Sequence, residues 1–320
     1  MVETMRLLDE SGVLGRLHKI VPRDAVEKEL ALVHDPRYVE AVRRAAEEGG
    51  GWVDPDTLIT PRSYDVAARV VGGTLAGLDA VLAGEVGSAF CLVRPPGHHA
   101  GPNYAMGFCL FNHIAVAAAY ARDAHECERV AIVDFDVHHG NGTQDAFYDD
   151  PHVLYVSTHQ YPFYPGTGAA SERGVRAGEG ANVNIPMPAY SGDEEHRQAF
   201  ERVVVPALRR FRPQVVLVSA GFDAHFADEI ANQQLSVDGY GTLVSMLIDV
   251  ADEVADGRLL FALEGGYDLV ALPWCVRRTL ELLQGDTPAR GPLGTVETPP
   301  PPRFEDILHE VEELHGLQRL

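Results

Sequence analysis

The chain has 320 residues, with 47 acidic against 26 basic side chains and a formal charge of −21. That balance excludes a general phosphate-binding surface and so argues against nucleic acid as a partner. It fits a solvated acidic face as well as one that draws in cationic substrates such as lysine-rich peptides or polyamines. Four widely spaced cysteines with no CxxC pair read as reduced, buried thiols. No cleavable leader and no apolar run of membrane-spanning length is present, so a cytoplasmic location is expected.

The length suits one large α/β domain, which is favoured over two small ones. The N-terminal third reads mainly as helix, because "AVEKELALVHDPRYVEAVRRAAEEGGGW" carries apolar residues at helical spacing, broken at "HDP" and stopped by three glycines. A second helix is expected from about Tyr64 to Ala83. Five short β-rich runs follow, "SAFCLVRP", "RVAIVDFD", "HVLYVSTH", "QVVLVSAG" and "RLLFALEG", separated by helical stretches. Unalternating apolar runs between helices indicate a parallel sheet covered on both faces. Near the end, "TPPPPRFEDILHEVEELHGL" reads as a proline-rich connector and a short helix, together at about 297–320.

Each run ends in reactive side chains: "RPPGHH", "DFDVHHGNG", "STHQYPFYPGTG", "SAGFDAH" and "LEGGYD". Ligands of open α/β sheets bind outside the C-terminal strand ends, so five segments converge on one crevice. Spacing two puts Asp134, Asp136 and His138 on one face of an extended chain, with Val137 and His139 on the other. Asp136 and His138 offer two metal ligands, and Asp223, after a different strand, is the natural third. Taken alone, the Asp136 and His138 pair also fits a structural hydrogen bond at a strand end. Oxygen and nitrogen donors without thiolate suit Zn²⁺ in a catalytic site, or Fe²⁺ or Co²⁺.

Adjacent His98 and His99 can divide the removal and return of a proton, since histidine titrates near working pH. Asp134 is suited to orient one of them, and Asn141 the other. Tyr267, after two glycines, can reach into the crevice and hydrogen-bond a carbonyl oxygen opposite a metal. "AMGFC" and "PFYPGTG" bring Gly107, Phe108 and Tyr164 to the same mouth, where the aromatics can wall a narrow slot or simply pack.

In this order, "RPPGHHAGPNYAMGFCLFN", "DFDVHHGNGTQDAF", "PGTG", "SAGFDAH" and "LEGGY" resemble the zinc-dependent histone deacetylase family. The form is most similar to its bacterial, class II-like members, a group that includes acetylpolyamine amidohydrolases and acetoin-utilisation proteins. The resemblance implies an α/β, three-layer arginase-deacetylase fold, a mostly parallel sheet flanked by helices with the active site at the strand C-terminal ends. It implies one catalytic domain over 1–320 that hydrolyses an N-acyl amide of acyl-lysine, a polyamine or another small acylated amine. Zinc would be held by Asp136, His138 and Asp223. His98 and His99 match the histidine dyad, with Asp134 and Asn141 as their partners, and Tyr267 matches the transition-state tyrosine. Gly107, Phe108 and Tyr164 match the acyl-lysine channel. Ser157 and Thr158, with Asp134, Asp136 and His138, align with a monovalent-cation site, usually K⁺.

Three departures from the family pattern bear on the pocket. The chain opens directly at "ETMRLLDESGVLGRL" where the family places a strand and a "GHPE"-like loop, so either the start is truncated or that edge is lost. After Asp223, "HFADEIANQQLS" puts Ile230 at the position where polyamine-preferring members carry a glutamate; Glu229 is adjacent, and a one-residue shift reverses that inference. Tyrosine stands at 267, where weakly catalytic relatives carry histidine. The rival readings are an arginase-like dinuclear manganese enzyme, poorly provided for by Gly140 and His225, and a non-catalytic acyl-lysine reader. Acyl length and oligomeric state stay open, a homo-oligomer among the options.

Overall fold

The computed structural model describes residues 1–296 and 299–317; the element expected at about 297–320 lies outside them at 297, 298 and 318–320. The chain begins in α1 (Val2–Glu10), a short α2 (Glu27–Leu30) and α3 (Pro36–Glu47). The Asp35 side chain accepts from the Arg37 N–H at 2.8 Å. Pro36 follows at the first helical position, where a missing N–H costs nothing. Val39, Val42 and Ala46 form the buried stripe of α3.

Past the three glycines the chain enters an antiparallel hairpin that the sequence reading does not anticipate, β1 (Gly51–Asp54) and β2 (Thr57–Ile59), separate from the main sheet. The helix expected from about Tyr64 follows as α4 (Ser63–Leu82).

The main sheet holds β3 (Ser88–Cys91), β4 (Val130–Asp134), β5 (Val153–Gln160), β6 (Asn182–Met187), β7 (Val215–Ala220) and β8 (Leu259–Leu263). Its order is β3-β8-β7-β4-β5-β6, and every pairing is parallel. β6 adds to the five expected strands: "NVNIPM" hides its apolar residues between two asparagines and a proline. A proline without a donor is tolerated at a sheet edge, which is where β6 lies.

Between and after the strands come α5 (His113–His125), α6 (Asn141–Phe147) and α7 (Asp193–Ala199). α7 passes through a π turn at Phe200–Val204 into α8 (Val205–Phe211). α9 (Val237–Val254), α10 (Ala271–Leu283) and α11 (Phe304–His315) complete the order.

Alternation along each strand divides two cores. Val130 and Ile132 of β4 pack with Val42 of α3, Leu78 of α4 and Ile114 of α5, while Ala131 and Val133 pack with Leu208 of α8, Val244 of α9 and Val276 of α10. Each fully buried Val or Ile contributes about 1.5–3 kcal/mol; a strand buried on both faces is therefore a firm support for whatever hangs from its end.

From β4 the chain moves outward through β5 and β6. It then returns to lay β7 against the other side of β4, and β8 between β7 and β3. The winding reverses between β4 and β7, so the loops leaving their C-terminal ends diverge and open a crevice.

Candidate active site

β4 ends at Asp134, and the next residues turn across the crevice. Asp134 Oδ1 accepts from the Asp136 N–H at 3.1 Å, and Asp136 Oδ1 from the His138 N–H at 2.9 Å. These turns keep Asp136 and His138 together although the strand has stopped, with Val137 in the core and the His139 ring tilted against that of His159 at 4.7 Å. Asp223 arrives from β7, its Oδ1 accepting from the Val137 N–H at 3.0 Å.

The ligand atoms of Asp136, His138 and Asp223 lie within 4.8 Å of one another, and all three residues are buried. His138 Nδ1 stands 3.1 Å from Asp136 Oδ1 and 3.4 Å from Asp223 Oδ2. Asp223 Oδ2 has no hydrogen-bond partner. A Cβ at Gly265 would come within 2.0 Å of that same oxygen, so this position requires glycine.

Two carboxylates and an imidazole in a buried cradle, with one orphaned oxygen, fit a zinc ion. Burial and then the Asp136 charge push the Asp223 carboxyl up to about 6. Burial would raise Asp136 as well, but the His98 and His138 charges hold it well below the usual carboxylate range.

The turn after β3 carries the histidine pair, rings 4.1 Å apart. His98 Nδ1 stands 3.1 Å from Asp134 Oδ2, which also accepts from the Tyr155 hydroxyl at 3.1 Å. Burial works against a charged His98, yet Asp136, Asp134 and Glu264 outweigh it and raise the group to about 10. His99 Nδ1 lies 2.7 Å from Asn141 Oδ1. That oxygen only accepts, so Nδ1 holds the proton and Nε2 keeps its lone pair. Burial, then the charges of His98 and His138, pull His99 well below its ordinary value. Two adjacent imidazoles thus differ in protonation because one faces carboxylates and the other an amide.

Glu264, a residue not singled out from the sequence, holds this turn in place. Its Oε2 accepts from the Gly97 N–H at 2.6 Å and the His98 N–H at 3.2 Å, and its Oε1 from the Ser219 hydroxyl at 2.9 Å. Burial opposes its charge, but His113 and His98 keep it at about 2. Its signal was present in "LEGGY", yet the Gly97 and His98 that it holds lie more than 160 residues away. His34, also missed, latches the far side of the turn: Nδ1 donates to Gly101 O and Nε2 accepts from the Asn112 N–H, both at 2.9 Å.

A cavity of about 220 Å³ leads outward from Asp136 and His138. Phe108, Tyr164 and Tyr267 wall it, and Gly107 and Ile230 reach it. Glu229 is exposed and is not among the lining residues. Tyr267 is fixed from three sides. Asp228 Oδ2 accepts from its N–H at 2.6 Å, Phe108 meets its ring edge-on at 6.3 Å, and the Arg94 guanidinium lies 5.0 Å over its ring. Burial and then the Asp223 charge push its phenol well above the ordinary value, so it carries its proton. Asp228 Oδ1 also accepts from the Ile230 N–H at 3.3 Å, tying both to one carboxylate.

Phe163 and Asp56 line the cavity too and were missed. Behind the cluster, Ser157 is the register partner of Asp134, its Oγ 2.8 Å from His159 Nδ1, and the buried Thr158 hydroxyl has no partner.

An all-parallel sheet with this crevice, and at its base a buried Asp-His-Asp group that could hold a metal ion, define an α/β protein with a candidate metal centre. The particular family follows from comparison: residues 1–283 match the histone deacetylase domain, and the chain belongs to that family. Membership makes it a deacetylase-type amidohydrolase, in a family that is zinc-dependent.

A histone deacetylase-like amidohydrolase of Pseudomonas aeruginosa is 44% identical over 289 residues, 90% of this chain and 76% of that protein. A probable deacetylase of Archaeoglobus fulgidus is 40% identical, over 85% of this chain and 76% of its own length. The chloroplastic histone deacetylase 14 of Arabidopsis thaliana is 41% identical, over 82% and 65%. Among solved structures, the HD domain of HDA15 superposes with a TM-score of 0.89 at 36% identity, covering 98% of this chain and 85% of that one. No described helix is long and apolar enough to cross a membrane.

Proposed function

We propose that the chain is a single catalytic domain that removes a short acyl group, acetyl first of all, from acyl-lysine. Zinc held by Asp136, His138 and Asp223 would polarise the acyl carbonyl and acidify a water. His99 Nε2 takes the water's proton and returns it to the departing amine nitrogen. The charged His98, held by Asp134, keeps His99 neutral for that task. The Tyr267 hydroxyl donates to the acyl oxygen as negative charge builds on it. A monovalent cation at Asp134, Asp136, His138, Ser157 and Thr158 belongs to the same reading.

The observation that carries the proposal is one slot with the Asp-His-Asp group at its base, lined by a protonated phenol and by a histidine pair of which His99 keeps a free lone pair. Ile230, not Glu229, at the mouth favours an uncharged linker over a polyamine. The test is kcat/KM of the zinc-loaded protein on an acetyl-lysine peptide beside acetylputrescine, with a hydroxamate control. Preference for the peptide is expected. Preference for acetylputrescine overturns the choice of carrier, and turnover of neither overturns the deacylase reading.

A further inference from the structure

The β1–β2 hairpin stands outside the main sheet, yet its tip reaches the slot. Asp56 Oδ1 accepts from the Gly107 N–H at 3.0 Å and from the Thr57 hydroxyl at 2.8 Å. Thr57 Oγ1 in turn accepts from the Phe108 N–H at 3.0 Å. Gly107 and Phe108 are both left-handed, with φ of 56° and 67°. Phenylalanine rarely adopts that conformation, which needs support from its surroundings. Two successive N–H groups so arranged form a concavity that receives an acceptor, and here the hairpin tip supplies both. Tyr164 and Asp56 line the same slot, and after burial the Asp56 charge is the next cause that pushes the Tyr164 phenol upward. One hairpin tip therefore holds the Gly107–Phe108 wall of the slot, from an element about 50 residues away in sequence.

We propose that Asp56 is a specificity-determining positioning residue: by holding the left-handed Gly107–Phe108 turn beside Tyr164 it fixes the slot width and restricts the acyl group to short chains. Its role is mechanical rather than chemical. Burial opposes the charge on Asp56, but the Thr57 hydroxyl, Asp54, the Gly107 N–H and Tyr164 together keep the carboxyl below its ordinary value. It therefore stays an acceptor for the Gly107 N–H and the Thr57 hydroxyl. Released from it, Phe108 relaxes toward an ordinary backbone conformation and the slot widens. This inference rests on the acyl-lysine reading above.

The experiment compares acetyl-, butyryl- and hexanoyl-lysine peptides with zinc-loaded full chains of wild type, Asp56→Ala, Asp56→Asn and Thr57→Val. In Asp56→Ala the hexanoyl-to-acetyl ratio of kcat/KM rises by about 10-fold or more, the discrimination a methylene commonly carries in an apolar pocket. Zinc content stays unchanged. Asp56→Asn still offers an oxygen to the Gly107 N–H, and keeps the wild-type ratio within about 3-fold, a difference well under the tenfold step of 1.4 kcal/mol. Thr57→Val keeps the side chain's shape and loses only the acceptor for the Phe108 N–H, so it shifts the ratio in the same direction by a smaller factor. It decides the matter if Asp56→Ala fails to fold. An unchanged ratio in Thr57→Val and in folded Asp56→Ala overturns the proposal, as does an Asp56→Asn ratio equal to that of Asp56→Ala. If wild type turns over no peptide, the deacylase reading fails separately, and the same ratio taken from calorimetric Kd values still reads the slot.

Discussion

Asp134, Asp136 and Asp223 at the floor of the slot are fully buried, whereas Phe108, Tyr164 and Tyr267 at its mouth keep 44%, 36% and 38% of their surface exposed. The floor hangs from the ends of β4 and β7, each strand buried at every residue. The mouth is assembled from loops and a two-stranded hairpin, held by single carboxylates: Asp56 for one side, Asp228 for Tyr267 and Ile230. Groups that hold charge in fixed register belong on the rigid part, where reorganisation is costly. Groups that sort substrates belong on the part that can be re-tied without disturbing the core.

The largest effect is expected from breaking the floor. Asp223→Ala leaves the Val137 N–H and the Asp136–His138 pair without their partner; bound zinc is lost by elemental analysis and turnover becomes undetectable. Retained zinc with full activity would show that the cluster is not the metal site.

Tyr267→Phe comes next, because this residue stands at the mouth but is proposed to serve chemistry at the floor. It keeps zinc and KM, while kcat falls by about 10²–10³, the usual loss for one oxyanion donor; an unchanged kcat removes the phenol from the chemistry.

The smallest effect concerns stability and the seam between the two regions. His34 is held neutral between Gly101 O and the Asn112 N–H, and burial lowers it to about 4. The unfolded group titrates near 6.5, so between these values the unfolded chain binds more protons. His34's contribution is complete above about pH 6.5 and lost as pH falls toward 4, by about 2 kcal/mol at pH 5. In urea unfolding, His34→Leu is less stable at pH 7 and loses correspondingly less than wild type between pH 7 and 5. An identical pH dependence assigns the loss to another buried histidine.

The floor was legible because its residues lie next to one another in sequence. Strand, turn and ligands fall within a few residues in "VDFDVHH", and the turn after β3 presents His98 and His99 in the same way. The partners of those histidines, Asp134 and Asn141, sit within the same motif. What was missed depends on contacts between distant segments. Glu264 was in plain view beside Tyr267, but nothing local shows that it caps the Gly97 and His98 N–H groups. Asp56 lies in "WVDPDT", an ordinary turn sequence whose hairpin pairing was masked by the glycines before it. Tyr155 lies inside the β-rich run "HVLYVSTH", and only the fold brings its hydroxyl to Asp134 and to the Gly140 N–H. β6 was hidden by its two asparagines, both of which donate to Gln144 on α6.

The reversal of strand order between β4 and β7 also governs when the site comes into being. Val137 and Asp223, which meet across that junction, are 86 residues apart in the chain. Two of the candidate ligands are therefore made long before the third, and the group stays incomplete until β7 docks beside β4. Closing so long a loop carries an entropic cost that must be met before the contact rewards it. Metal affinity then counts as folding free energy, because the unfolded chain offers no assembled site. In this protein, zinc uptake would time the arrival of β7 and lock the sheet at its centre.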